Sequence, residues 1–439
     1  MKKKYRIILY TSIFLLCVVA SIILVVKKSN SVYEEESKPK VVKHKSMLSM
    51  NLEQTAGAGD YKTVTQSSWP TEGYKFNAEL SRCENGSTLS WDDTKKAVIM
   101  QGNVSDKCYV YFDIWIPSIA DYCTSGTDLA TCVKNFGDQG PSVSNIYIHN
   151  SSLTNGAGDN SYRYAGANPN NFVCFGSDTS PCPTDNLYRI IGVFGENYHG
   201  VTGKQLVKLI KYDYMTTDEL GTDGDYSQTY KEWGMDSTYK GTYGDGERIG
   251  VYYWNYKATG SATNTWSTSL LNKTNLNTNF INNIGTTWAN KIATVTWKVG
   301  GNTYANISDV VPATTYQNEI VNPVTTNTTD NATTYSAKIG LMYVSDYGFA
   351  ASPDAWTLTM SSYNNTTATN NNWMYMGLYE WTISRIADAS DRAFFVNVGG
   401  RVNGDGVGDI IGVRASFSLE SSVSYVSGSG SMSDPIVIN

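Results

Sequence analysis

The sequence predicts a mostly β chain with some α, an α+β fold class, in which one N-terminal transmembrane helix precedes at least two globular units. Three observations carry this reading. Short stretches of alternating apolar and polar residues recur along the chain, as in CYVYFDIWI and AFFVNVGG. A run from Ile7 to Val26 contains no charged residue. Beyond that run lie six cysteines in three consecutive pairs.

The N-terminal run, IILYTSIFLLCVVASIILVV, is 20 residues long. At about 1.5 Å of helical rise per residue it matches a hydrocarbon core of about 30 Å. Lys2, Lys3, Lys4 and Arg6 precede it and Lys27 and Lys28 follow it, so residues 1–6 are read as cytoplasmic. A cleaved signal peptide is the alternative, but its apolar region usually spans about 7–15 residues and ends at a small-x-small site, whereas here Lys27, Lys28 and Val32-Tyr33 follow. The expectation is an uncleaved single-pass anchor at 7–26 in the cell membrane, with the remainder extracytoplasmic.

Cys83 and Cys108, Cys123 and Cys132, and Cys174 and Cys182 form three neighbouring pairs. Six cysteines allow 15 pairings, and short loop closures favour neighbours. An even count outside the anchor is the usage of an oxidising compartment. No cysteine follows Cys182, so the C-terminal part needs an ordinary apolar core.

Residues 27–58 mix charges of both signs with few apolar residues in any period and read as a linker. Residues 59–117, with STLSWDD, KKAVIMQG and CYVYFDIWI, read as a small β-sandwich-like domain stapled by a disulfide. Within 118–439, LYRIIGVFG and QLVKLIKYDY predict paired strands, and WSTSLLNKTNLNTNFINNI predicts one helix or two short ones. The tracts 301–335 and 361–372 are rich in Asn and Thr and predict long exposed loops, and the C-terminal alternation from Ala393 onward predicts a β-meander.

Charge and composition restrict function. The net charge is −6, the charged fraction is 17%, and there is no basic face of the kind that nucleic-acid phosphates require. Three histidines without ligand spacing make a zinc site improbable, and no nucleophile motif or phosphate-binding loop is present. Asn403, Asp405 and Asp409 in GRVNGDGVGDI are weak calcium candidates, in competition with an Asn-Gly/Asp-Gly hairpin turn. No other cofactor is expected. Trp356, Trp373, Tyr375, Tyr379 and Glu380 are the expected binding residues, the aromatics exposed to stack on sugar rings or anchor a protein. No catalytic residue is expected, since Glu380 with Asp388 or Asp391 could do acid–base work only if two carboxylates converged, and they read first as loop and salt-bridge carboxylates.

The run from Trp373 to Leu419, with YEWTISR, FVNVGGRV and IGVRASFSL, resembles the core of the C-type-lectin-like fold used by relatives of the formylglycine-generating enzymes. The resemblance implies that Trp381, Gly399, Gly400, Gly412 and Arg414 are scaffold residues. It does not bring the enzymes' activity, which uses a late cysteine pair absent here. More broadly, CENGSTLSWDD…SDKCYVYFD, NNFVCFGSD…CPTDNLYRIIGVFG and KIGLMYVSDYGFAAS look like uncharacterised membrane-anchored surface proteins of bacteria. Together these readings point to a non-catalytic surface module that binds a glycan or a protein. An envelope-polymer hydrolase or modifying enzyme using Glu380, and a structural cell-surface component, are the alternatives.

Overall fold

The computed structural model describes residues 48–439 apart from 66–67, 71, 104, 196–198, 200–201, 225, 234–237, 245, 247, 261 and 324–331. The predicted anchor at 7–26 and most of the predicted linker lie outside the described residues. Among the described residues no helix is long and apolar enough to cross a membrane. The chain is mostly β with some helix and divides into two compact units, residues 1–116 and 117–439.

The first unit is a four-stranded sheet in the order β2-β1-β6-β3, built from β1 (Leu48–Glu53), β2 (Tyr61–Val64), β3 (Tyr74–Cys83) and β6 (Cys108–Ile114). A separate hairpin pairs β4 (Thr88–Asp92) with β5 (Ala97–Gln101). β1 corrects the sequence reading, which placed Leu48–Glu53 in the linker. Its alternating Met50 and Leu52 are buried, and it runs parallel to β6 with Met50 opposite Val110. The polar residues around it hid this short period.

Val110 and Phe112 alternate inward along β6, as a strand with one covered face requires. The Phe112 ring lies 5.7 Å from Trp91 on the hairpin and 5.9 Å from Phe76, so the hairpin covers one face of the sheet. Cys83 is bonded to Cys108, tying β3 to the start of β6.

The second unit holds a seven-stranded and a six-stranded sheet. In the first, β7 (Ile146–Ile148), β8 (Tyr162–Tyr164), β10 (Leu187–Phe194), β11 (Leu206–Lys211), β21 (Ser416–Ser418) and β16 (Ile339–Gly340) follow in spatial order, and β9 (Phe172–Cys174) shares an edge of β10 with β8. β10 and β11 are the antiparallel pair that the sequence predicts. Every residue of both is buried, which accounts for their mostly apolar character, broken only by Arg189, Lys208 and Lys211. A bulge at Gly192 lets β8 approach so closely that a Cβ there would lie 2.2 Å from the Tyr162 carbonyl oxygen.

The six-stranded sheet has the order β12-β13-β20-β17-β18-β19, with β12 Tyr226–Thr229, β13 Gly250–Tyr253, β17 Glu380–Arg385, β18 Arg392–Val396, β19 Val402–Gly406 and β20 Ile410–Gly412. Here the expected C-terminal meander is corrected. β18 and β19 form a hairpin, but β20 joins the six-stranded sheet while β21 joins the other. The chain crosses between sheets at Val413–Ala415, where the buried Arg414 is held by partners from both sides of the crossing.

The predicted helix at 266–284 becomes a 3-10 turn at Trp266–Thr268 and a π-helical run at Leu271–Phe280, followed by short helices. The buried Asn272 and Asn275 amides bond carbonyls of Trp266, Leu220 and Asp223. The tract 301–335 is not a plain loop either. It contains helices at Tyr304–Ser308 and Pro312–Tyr316 that bury Ile307, Thr315 and Tyr316. Cys123 is bonded to Cys132 and Cys174 to Cys182, closing two short loops at the start of this unit.

The Cys83–Cys108 bond closes a loop with a sequence separation of 25. Replacing both cysteines by alanine is expected to cost the first unit about 3 kcal/mol. Hydrogen exchange should then speed the β6 amides by about two orders of magnitude while leaving β10 and β11 unchanged. Unaltered β6 protection would show that the staple is dispensable.

Candidate functional site

The residues expected to form an exposed contact face are mostly interior. Trp356 is 0% exposed, its indole N–H donates to the Ala351 carbonyl at 2.8 Å, and its ring packs on Phe349 and Tyr147. Glu380 is 2% exposed and accepts from Arg414 Nε at 2.8 Å. Tyr379 is half-buried against Phe395. The reading of Trp356 and Glu380 as solvent-facing contacts is therefore corrected: an internal carbonyl and a guanidinium satisfy the polar ends that would otherwise hold them at the surface, while Tyr379 keeps partial exposure.

Trp373 and Tyr375 are also largely buried, at 3% and 7% exposure, yet both line a cleft of about 540 Å³ in the second unit. Phe172 of β9, Arg189 of β10, Tyr212, Lys240, Asn370, Asn372 and Met376 line it as well, with Ala167, Asn168, Asn170 and Ser431–Ser433 on its rim. Four aromatic rings, two cations and a set of amides and hydroxyls thus converge. Among the described residues that line this cleft there is no carboxylate.

Arg189 organises the wall. Its guanidinium lies between the Phe172 ring at 4.4 Å and the Trp373 ring at 4.6 Å. Nε donates to Asn171 Oδ1 at 2.7 Å, Nη2 to the Pro169 carbonyl at 2.9 Å and Nη1 to the Trp373 carbonyl at 3.4 Å. Asn171 is fixed in turn by donating to the Ile190 carbonyl at 2.8 Å. Burial pulls the guanidinium down to about 9, so it stays charged at neutral pH.

Trp373 is anchored from its other end, where Nε1 donates to the Tyr164 carbonyl at 2.9 Å. On the facing side the exposed Lys240 places Nζ 4.4 Å from the Tyr375 ring centre and 3.3 Å from the Thr369 carbonyl. Desolvation lowers the Lys240 ammonium below its ordinary value. The Tyr375 hydroxyl donates to the Val398 carbonyl at 2.5 Å, which holds the ring broadside to the ammonium.

Of the candidates read from the amino-acid pattern, Trp373 and Tyr375 are the two brought together here; Arg189, Lys240, Phe172 and Tyr212 were not anticipated. Each sits in a stretch whose pattern reads as strand or turn. The one available signal was a cation inside the otherwise apolar LYRIIGVF, since a central strand buries an arginine only with dedicated partners.

The calcium candidates lie elsewhere, at the β18–β19 hairpin and the turn after it. Asn403 Oδ1 accepts the Tyr304 hydroxyl at 3.0 Å and the Gly404 N–H at 2.9 Å, and Asp405 Oδ1 accepts the Gly406 N–H at 2.9 Å. Both lie within β19, opposite Phe395 and Ala393, so the Asn-Gly/Asp-Gly hairpin turn read from the sequence is corrected: β18 and β19 are joined at 397–401. Among the described residues no group of three or more His, Cys, Asp or Glu could hold a metal ion.

No known protein family matches this chain, and neither a curated protein nor a solved structure does.

Asp409 gives this hairpin a pH dependence. Burial, and then its hydrogen bond with Asp405, push its carboxyl up from 3.8 to about 6. A carboxyl raised by folding favours the folded state below its unfolded pKa, and that contribution is lost as pH rises through the folded value. Asp409→Asn should therefore be more stable than the native chain above pH 6 and equal to it below the ordinary carboxylate range. Denaturant unfolding across this pH window checks the sign, and an advantage that grows on acidification would contradict it.

Proposed function

We propose that this chain is a membrane-anchored, extracytoplasmic surface protein whose larger unit is a non-catalytic module binding an acidic glycan in the Trp373 cleft. The observation that carries the reading is the lining itself. Aromatic faces suit the apolar faces of sugar rings, and side-chain amides and hydroxyls can exchange hydrogen bonds with sugar hydroxyls. Two cations, with no carboxylate among the described residues that line the cleft, favour a ligand that bears negative charge. The Lys240 ammonium has three donors and lies at the exposed mouth, where it can meet a carboxylate or sulfate.

The extracytoplasmic placement rests on the uncharged run at 7–26 and on three disulfides, which persist in oxidising compartments. A C-type-lectin-like arrangement of Trp373–Leu419 is part of the same proposal. In its favour, the resembling positions do structural work. Trp381 is buried and donates to the Tyr252 carbonyl, Arg414 pairs with Glu380, and a Cβ on Gly412 would lie 2.8 Å from the Tyr214 ring. The pairing of Glu380 with Arg414, and its place outside the cleft lining, favour the binding reading over an enzyme that would use this carboxylate.

Calorimetric titration of the full chain with acidic and neutral oligosaccharides tests the proposal. The acidic ligand should bind more tightly, by an amount that shrinks with added salt. Lys240→Ala should weaken it about tenfold, the equivalent of about 1.4 kcal/mol, and Tyr375→Ala should weaken both ligands. Affinity for the acidic ligand that is indifferent to both substitutions and to salt would sink the cleft as its site.

A further inference from the structure

A second cluster, made of residues that do not serve the cleft, is built around an amine. Lys208 on β11 is 3% exposed, and its Nζ lies 2.5 Å from Asp346 Oδ2. Aromatic rings enclose it, with Tyr343 at 4.4 Å, Trp297 at 5.1 Å and Phe194 at 5.8 Å. Asp346, 138 residues away in sequence, is the third residue of the helix Val344–Ala350, and its Oδ2 also accepts the Tyr343 N–H at 3.0 Å. Among the described residues Asp346 Oδ1 has no hydrogen-bond partner, and it lies 3.7 Å from Arg163 Nη1.

A second acid stands beside this pair. Glu319 is buried and accepts the N–H groups of Val344 and Ser345, each at 2.9 Å, and the Ser384 hydroxyl. Burial raises its carboxyl to about 7, so a large share of it carries a proton at neutral pH, and its charge is felt by both Lys208 and Asp346. A cavity of about 10 Å³, lined by Lys208, Tyr343, Trp297, Phe194 and His199, has room for about one water molecule.

We propose that Lys208 Nζ and Asp346 Cγ condense into an intramolecular amide, a covalent cross-link between β11 and the helix Val344–Ala350 that forms as the chain matures. Burial pulls the Lys208 ammonium below its ordinary value, whereas Lys208 and Arg163 overcome the effect of burial on Asp346 and hold its carboxyl below the usual range, so the reactive amine and acid form by proton transfer within the pair. One proton passes from the ammonium to the carboxylate across their hydrogen bond. The amine lone pair attacks Cγ, one C–O bond breaks, and that oxygen leaves as water. Of the three ammonium protons one stays on the amide nitrogen and two depart in the water, so atoms and charge balance without an oxidant or reductant.

Glu319 is a positioning residue: by accepting the Val344 and Ser345 N–H groups it holds the first turn of the helix that carries Asp346, and Arg163 faces the oxygen that remains. Fixing the two groups in contact replaces a bimolecular encounter, an advantage worth effective concentrations of about 10⁵–10⁸ M in well-oriented cases. The product leaves no charge stranded. Lys208 and Asp346 become neutral together, and Arg163 retains Asp159 at 2.7 Å. The other buried ion pairs among the described residues lack these features. Arg414, paired with Glu380, offers no nucleophilic amine, and Glu219, the partner of Lys211, is partly exposed and caps its own helix turn.

Tryptic peptide mapping of the full chain by mass spectrometry decides the matter. The expected product is peptide 205–211, uncleaved after Lys208, joined to peptide 339–385 at a mass one water below their sum. Lys208→Arg should give the two regions unlinked, and Glu319→Gln should leave a substantial fraction of the wild-type peptides linear. Recovery of the wild-type peptides in linear form alone, with cleavage after Lys208, would overturn the cross-link. Complete linkage in Glu319→Gln would overturn the positioning role assigned to Glu319.

Discussion

The arginine enclosed between Phe172 and Trp373 is the interaction on which the cleft of the larger unit depends. A guanidinium inside a central strand has lost its water, and only a full set of acceptors can compensate. Here Asn171, Pro169 and Trp373 supply them, and two aromatic faces cover the cation above and below. The acceptors and rings come from separate neighbouring segments. One buried charge therefore fixes the loop at 169–171, the edge strand β9 and the chain at Trp373 relative to β10, and the space between them is the cleft.

The same constraint recurs through the unit. Arg163, Lys208, Lys211 and Arg414 are all buried, and each is met by a carboxylate, local for Asp159 and Glu219 and distant in sequence for Asp346 and Glu380. Such pairs add little net stability over apolar packing, but removing one member leaves the other uncompensated. They act as register pins. Arg414 holds the crossing between the two sheets, and Lys208 holds a sheet strand to the helix that follows β16.

These pins explain what the sequence did and did not disclose. β10, β11 and β6 were legible because their apolar or alternating runs are long and local. β1 was not, because its two inward residues sit among polar neighbours and it is completed by a parallel partner far along the chain. The π-helical run at Leu271–Phe280 was legible only as helix, since the register change follows from buried asparagines whose acceptors lie on distant loops. The contact residues were misread for a related reason. Trp356, Trp373 and Glu380 look like surface chemistry in an Asn-rich tract, yet each has a buried partner that no local pattern announces. Trp373 and Tyr375 still reach the cleft, but with Arg189 and Lys240, which come from segments 184 and 135 residues before them.

Urea unfolding of Arg189→Lys measures what the enclosed guanidinium contributes to the unit. Lysine keeps the positive charge and much of the length but lacks the planar fork that bonds Asn171, Pro169 and Trp373 together. The account predicts a loss of about 2–4 kcal/mol, the worth of one or two hydrogen bonds to a charged donor. A variant within about 0.5 kcal/mol of the native chain, the range of an ordinary surface substitution, would contradict it.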